Sequence, residues 1–222
     1  MSLKIAAQQP YFFPDYFYFN KIYQSDIFII ADFLKFRKQS AMVRTRLQAD
    51  DPPKYLTVPV EHPAKAPQPP LYRMKLNTEE NWRRKHLRTL ESIFAGYPFF
   101  EHYFPFIEEI YQRKLDSLAD FCIELLHPLL QHLMPDKKIV IASKIDVFSL
   151  DSLKNWLKTL KGYCFLVDPA EKLFYQKHFA GSEQLDVTVS KTLEFPGTYH
   201  PIVSILALLF IKGPETVLYF KS

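Results

Sequence analysis

Short apolar runs alternate with helical periodicities along most of the chain, a pattern that predicts an α/β fold. Leu3 to Ala7 is a mostly apolar run that reads as a buried first strand. Pro10 and Pro14 break the segment from Gln8 to Pro14 into a loop. Asp15 is then placed to cap a helix that carries Phe19, Ile22 and Tyr23 on one face. Asp26 to Ala31 is a second apolar run, ending at Asp32. Strand, loop, short helix and strand form the opening of a right-handed βαβ unit.

Further along, Tyr55 to Val60 and Leu71 to Leu76 read as strands, separated by a stiff loop from His62 to Pro70 with four prolines. Asn77 or Thr78 is expected to cap a helix that carries Glu79 and Glu80 in its first turn and stops at Gly96. Tyr103 to Met134 has helical spacing throughout, with Pro128 expected to bend or divide it. Regular alternation follows. Ile139–Ala142, Tyr163–Val167 and Leu185–Val189 read as strands, and Leu150–Leu160, Ala170–Phe179 and Ile202–Ile211 as helices. The expected fold is α/β: a mostly parallel, Rossmann-like sheet flanked by helices, in a single domain of residues 1–222 with a helical insertion at about 78–134.

Composition narrows the chemistry. The chain has 222 residues, 48% apolar and 16% aromatic, with 20 Phe and 13 Tyr against only 5 Gly. Neither GxxxxGK nor GxGxxG occurs, which argues against a P-loop or a dinucleotide-binding unit. Cys122 and Cys164 sit inside apolar runs, as buried free thiols do. No HExxH, GxSxG or CxxC appears, so neither a metal nor a cofactor is expected. The start lacks a secretory signal pattern, and Ile202 to Ile211 is too short to span a bilayer. These features lead to the expectation of a cytoplasmic protein. The net charge of +4 is mild, but two basic clusters stand out: Lys35, Arg37, Lys38, Arg44 and Arg46, then Arg83, Arg84, Lys85, His86 and Arg88. They suit either an anionic small molecule or a solvated basic face. No recognisable nucleic-acid-binding module accompanies them.

In open parallel sheets, ligands bind beyond the carboxyl ends of the strands. Gln8, Gln9, Pro10 and Tyr11 after the first strand and Asp32 after the second would meet there, with the helix after Asp15 presenting its N–H groups. Asp15 itself would repel an anion there unless it serves only as the cap. His86 shares a helical face with Trp82 and Leu90, and is either a structural histidine or a proton carrier.

The ordered set Gln9-Pro10-x-x-x-Pro14, Tyr18-Phe19-x-Lys21-Ile22, Ser25-Asp26-x-Phe28 and Asp32 resembles the opening of WbqC-like proteins. The similarity continues through Lys38, Arg44, Arg46, Leu56-Thr57-Val58-Pro59-Val60, Trp82, Lys85-His86, Tyr97-Pro98, Ser204-Ile205-Leu206 and Gly213-Pro214. The resemblance implies a bacterial cytoplasmic protein of surface-polysaccharide (O-antigen) biosynthesis, a transferase moving an amino-acyl, glycyl or acyl group onto an amino sugar. It also implies His86 and Asp32 as catalytic residues, and Gln9, Pro10, Tyr11, Lys38, Arg44, Arg46 and Lys85 as contacts to an anionic activated sugar or acyl donor. Several positions depart from the family pattern: Asp15-Tyr16-Phe17 for Trp-Leu-Gly, Lys35-Phe36 for Gln-Tyr, Val43 for Asn, Val167-Asp168 for Ser-Gly, and Ala207 for an acid. Such changes fit an altered substrate, or a binding protein that has lost its reaction. The layout also matches the start of nucleotidyltransferase-like folds, but the histidines that read phosphate there are missing.

Overall fold

The computed structural model describes residues 2–49, 51–61, 68–77, 81–160, 162–168, 185–187 and 202–220, together with Leu173, Tyr175, Lys177 and His200. Its centre is a five-stranded sheet in which every pairing is parallel. The strands are β1 (Leu3–Gln8), β2 (Ile27–Ile30), β5 (Lys138–Ile141), β6 (Tyr163–Val167) and β7 (Leu185–Val187), in the order β5-β2-β1-β6-β7. A separate antiparallel pair joins β3 (Arg44–Arg46) to β4 (Tyr55–Thr57). The expected parallel sheet flanked by helices is what the chain forms, and a Rossmann-like arrangement is consistent with it.

The strands read as continuous apolar runs because both faces of the sheet are covered. Ala6, Phe28, Ile30, Cys164 and Leu166 point to one side and join the larger core. Ile5, Ala7, Ile27, Ile29, Phe165 and Val167 alternate with them and join a smaller core on the other side. The larger core takes in α1 (Tyr16–Gln24), α2 (Trp82–Phe94), α3 (Phe100–Gln112), α4 (Leu118–Leu133) and α6 (Ile205–Lys212). On the smaller side, α5 (Leu150–Lys158) contributes Leu153 and Leu157.

Several expected boundaries move. Leu71 to Leu76 is not a strand: Leu71–Arg73 is a 3-10 turn, and only isolated bridges at Lys75 and Leu76 follow. The long helical stretch does not divide at Pro128. It divides between Arg113 and Ser117, while Pro105 and Pro128 lie inside α3 and α4. Arg83 explains the break, donating to the carbonyls of Tyr111, Arg113 and Leu115 at 2.9, 3.0 and 3.0 Å and so capping the end of α3. Ser117 then starts α4 by accepting the Asp120 N–H. Pro128 removes one donor from α4 and leaves the Glu124 carbonyl without its helical partner, yet the helix runs on to Leu133. Asn81, not Asn77, precedes α2, and Thr78 to Glu80 lie outside the described residues. The final helix begins at Ile205, where Ser204 caps it, rather than at Ile202. Most of the expected 170–179 helix lies outside the described residues, as do residues 62–67. Among the described residues no helix is long and apolar enough to cross a membrane.

Candidate functional site

The carboxyl ends of β1 and β6 carry a buried polar network. Ala6 pairs with Leu166, so two residues further on Gln8 stands level with Asp168. Lys21, reaching across from α1, donates to Gln8 Oε1 at 2.8 Å and to Asp168 Oδ2 at 3.0 Å. Gln8 Nε2 in turn donates to the Tyr11 hydroxyl at 2.8 Å. Lys21 is almost wholly buried, and the Asp168 side chain is about one-third exposed. Burying an ammonium is costly unless a counter-charge and acceptors hold it. Here Asp168 and Gln8 do so, at the rim where α/β sheets take their ligands.

A tight corner supports this network. Phe13 is buried yet has φ of 44°, a conformation non-glycine residues seldom adopt. Two hydrogen bonds hold it there. Phe12 N–H donates to the Ala41 carbonyl at 2.9 Å, and Thr45 Oγ1 donates to the Phe13 carbonyl at 2.9 Å. Asp15 then caps α1, accepting the Tyr18 N–H at 3.1 Å, and forms a backbone bridge with Ser204, the cap of α6. The backbone also links Ile205 to Pro14 and Ser204 to Arg46. The N-termini of two helices thus meet beside Asp15. Burial pushes the Asp15 carboxyl up to about 6, and the nearby Asp168 charge adds to this, while hydrogen bonds led by Tyr18 N–H pull the other way.

The expected residues divide between this corner and other places. Gln9 is half-buried just past β1, and its side chain bonds no described residue; Pro10 is buried. Tyr11 belongs to the network and packs its ring on Tyr18 at 5.1 Å. Asp32 is buried after β2, where Oδ1 accepts the Ser143 N–H at 3.0 Å and its carbonyl accepts Tyr72 N–H. It ties the turn after β5 to the end of β2, and burial raises its carboxyl pKa against the pull of Ser143. Lys38 and Lys85 are exposed. Arg44 stacks on Tyr55 at 3.9 Å, and Arg46 turns back onto the Gln48 and Ala49 carbonyls at 2.9 and 2.8 Å. Among the described residues these four cations share no hydrogen bond or ion pair with Gln8, Lys21 or Asp168.

His86 lies inside the packing. Its Nε2 is 3.2 Å from the Thr57 carbonyl, which can only accept, so Nε2 carries the proton and Nδ1 accepts from the Tyr111 hydroxyl at 3.1 Å. Trp82 and Phe12 pack on the ring at 5.1 and 5.7 Å. Burial lowers its pKa to about 4, so the imidazole is neutral at ordinary pH. With both nitrogens engaged, His86 joins α2 and β4 to the corner loop through Phe12.

Sequence reasoning put Gln8 in the strand-end segment and weighed Asp15 as a cap or a repelling charge, but passed over Lys21 and Asp168 as site residues. Two departures from the family pattern, Asp15 and Asp168, fall within the network, whereas Val43, Val167 and Ala207 are buried in the packing. Among the described residues no group of three or more His, Cys, Asp or Glu is placed to hold a metal ion.

The model of one protein family, described as the WbqC-like protein family, matches residues 9–219, nearly the whole chain. No curated protein and no solved structure shows significant similarity. The matched span includes Lys21, Asp168 and every residue of the corner except Gln8. On that coverage, the chain belongs to the WbqC-like protein family.

Proposed function

We propose that the chain is a transferase that carries an amino-acyl, glycyl or other acyl group to an amino sugar or similar acceptor in bacterial surface-polysaccharide biosynthesis, using the crevice at the ends of β1 and β6. The observation that carries this reading is Lys21, a buried ammonium fixed by Gln8 and Asp168 where parallel sheets bind ligands. In this reading Lys21 and the N-termini of α1 and α6 face the carbonyl oxygen of the donor and stabilise the negative charge that develops on it. Asp15, ionised at neutral pH, accepts the proton that leaves the acceptor nitrogen or oxygen as the new acyl bond forms and the donor's leaving group departs. General-base help of this kind contributes ~10²–10⁴-fold. Gln9 and Tyr11 orient the acceptor, and Asp32 and His86 position the frame around it.

A second reading has its own support. Asp168 neutralises Lys21, and it stands where the family pattern has a small turn. A binding protein that keeps the crevice and has lost the reaction fits that pairing. Thermal-shift screening against nucleotide-sugars, acyl-adenylates and amino acids, followed by turnover assays on the hits, separates the two. Stabilisation with turnover that Lys21→Met abolishes supports the transferase, and stabilisation without turnover supports the binding protein. If no compound of these classes stabilises the chain, both readings fail.

A further inference from the structure

β5 forms one edge of the sheet. Lys138 to Ile141 pair with β2, and among the described residues they make no other backbone hydrogen bond. Open edges are templates for pairing, and proteins blunt them with short strands, lysines and other charges, proline or bulges. β5 reads Lys-Ile-Val-Ile, with its one charge at the first position. Its faces are also unequal. Ile139 and Ile141 lie on the side of the larger core, next to a groove of about 290 Å³ bounded by Ile30, Ile123, Leu126, Leu130 and Met134. Val140 lies on the other side.

The geometry points to a two-fold dimer of this chain in which β5 pairs antiparallel with β5 of a second copy about Val140, joining the two sheets into one. The edge is self-complementary in that register, as a two-fold interface requires. Ile139 of each copy stands opposite Ile141 of the other, on the groove side, and Val140 meets Val140. Lys138 stands opposite Ala142, so no like charges are directly opposed. Beyond the strand, Asp136 of one copy approaches the turn that carries Lys144 of the other. Both are exposed, and neither has an ion-pair partner among the described residues, so the match is between two otherwise unsatisfied charges. The interface lies at the opposite side of β1 from β6, leaving the Lys21 corner open in both copies.

Sedimentation of the full chain over a concentration series, with hydrogen exchange at each concentration, tests this. The wild type is expected to dimerise, with the outward amides of β5 gaining protection as dimer forms. Asp136→Lys should weaken the dimer by about tenfold or more, and adding Lys144→Asp should restore it. Both positions are exposed, so circular dichroism should stay unchanged. A wild type that is monomeric throughout, a dimer indifferent to Asp136→Lys, or β5 amides that exchange equally in monomer and dimer would overturn the proposal.

Discussion

The Lys21 ammonium lies 3.0 Å from the Asp168 carboxylate, across 147 residues of sequence. Removing the carboxylate strands a buried charge, whereas removing the lysine takes the charge away with the side chain. Asp168→Ala should therefore cost about 1–3 kcal/mol in urea unfolding, below the figure for a fully buried pair because Asp168 is partly solvated. Lys21→Met should cost clearly less. Equal losses would mean that the pair does not hold the corner.

Buried groups set opposing pH dependences, with Asp32, whose carboxyl pKa is also raised by burial, acting in the same sense as Asp15. His86 titrates near 4 when folded against 6.5 when unfolded, so the unfolded chain takes up the proton first and stability falls as pH drops from about 6.5 toward 4. Asp15 runs the other way. Its folded value of about 6 exceeds 3.8, so the folded chain takes up the proton first and stability falls as pH rises from about 4 to 6. Between these limits the two contributions partly cancel. Relative to wild type, Asp15→Asn should shift the slope of stability with pH in this window upward, and His86→Gln should shift it downward. Urea midpoints measured across the window check both, and an unchanged profile in Asp15→Asn would remove Asp15 from the account.

Thr45 holds the strained Phe13 peptide. Thr45→Val keeps the shape but leaves the Phe13 carbonyl without that donor, a loss of about 1–2 kcal/mol. If the corner serves a ligand, affinity should fall further than stability does. Calorimetry against any compound found to stabilise the wild type measures the difference.

Gly213 ends α6 at φ 55° and ψ −133°, a backbone conformation that suits glycine. A Cβ added there would come within 2.6 Å of the Phe99 ring. Gly213→Ala should cost roughly 2 kcal/mol or more, from backbone strain together with displacement of Phe99. A thermal midpoint within a degree of wild type would show that the ring moves freely.

Much of the sheet was legible because β2 and β6 are unbroken apolar runs and β1 and β5 nearly so, and Tyr163–Val167 lies where the pattern puts it. The division between α3 and α4 was not. Residues 113–117 contain neither proline nor glycine, and the break depends on Arg83, which is distant in sequence. Leu71 to Leu76 misled because Leu71, Met74 and Leu76 are all buried through a tight turn rather than along a strand. For the candidate site, strand ends and helix caps led to the corner where Gln8, Lys21 and Asp168 meet. The expected cations Lys38, Arg44, Arg46 and Lys85 share no hydrogen bond or ion pair with those three among the described residues, and an exposed cation and a buried one look alike in sequence until their partners are known. Lys21 escaped notice for the same reason: the partner that gives it meaning follows a different strand.

β1 is made first and stands in the middle of the sheet, with consequences for how the chain assembles. Its neighbour β2 follows almost at once, but β6 begins only at Tyr163. At about 5–20 residues per second, one side of β1 waits on the order of ten seconds during synthesis. Throughout that interval Lys21 has no Asp168 to meet and keeps its hydration. The charge and its counter-charge leave water together, in a step of long sequence separation, so the corner closes only after β6 has emerged.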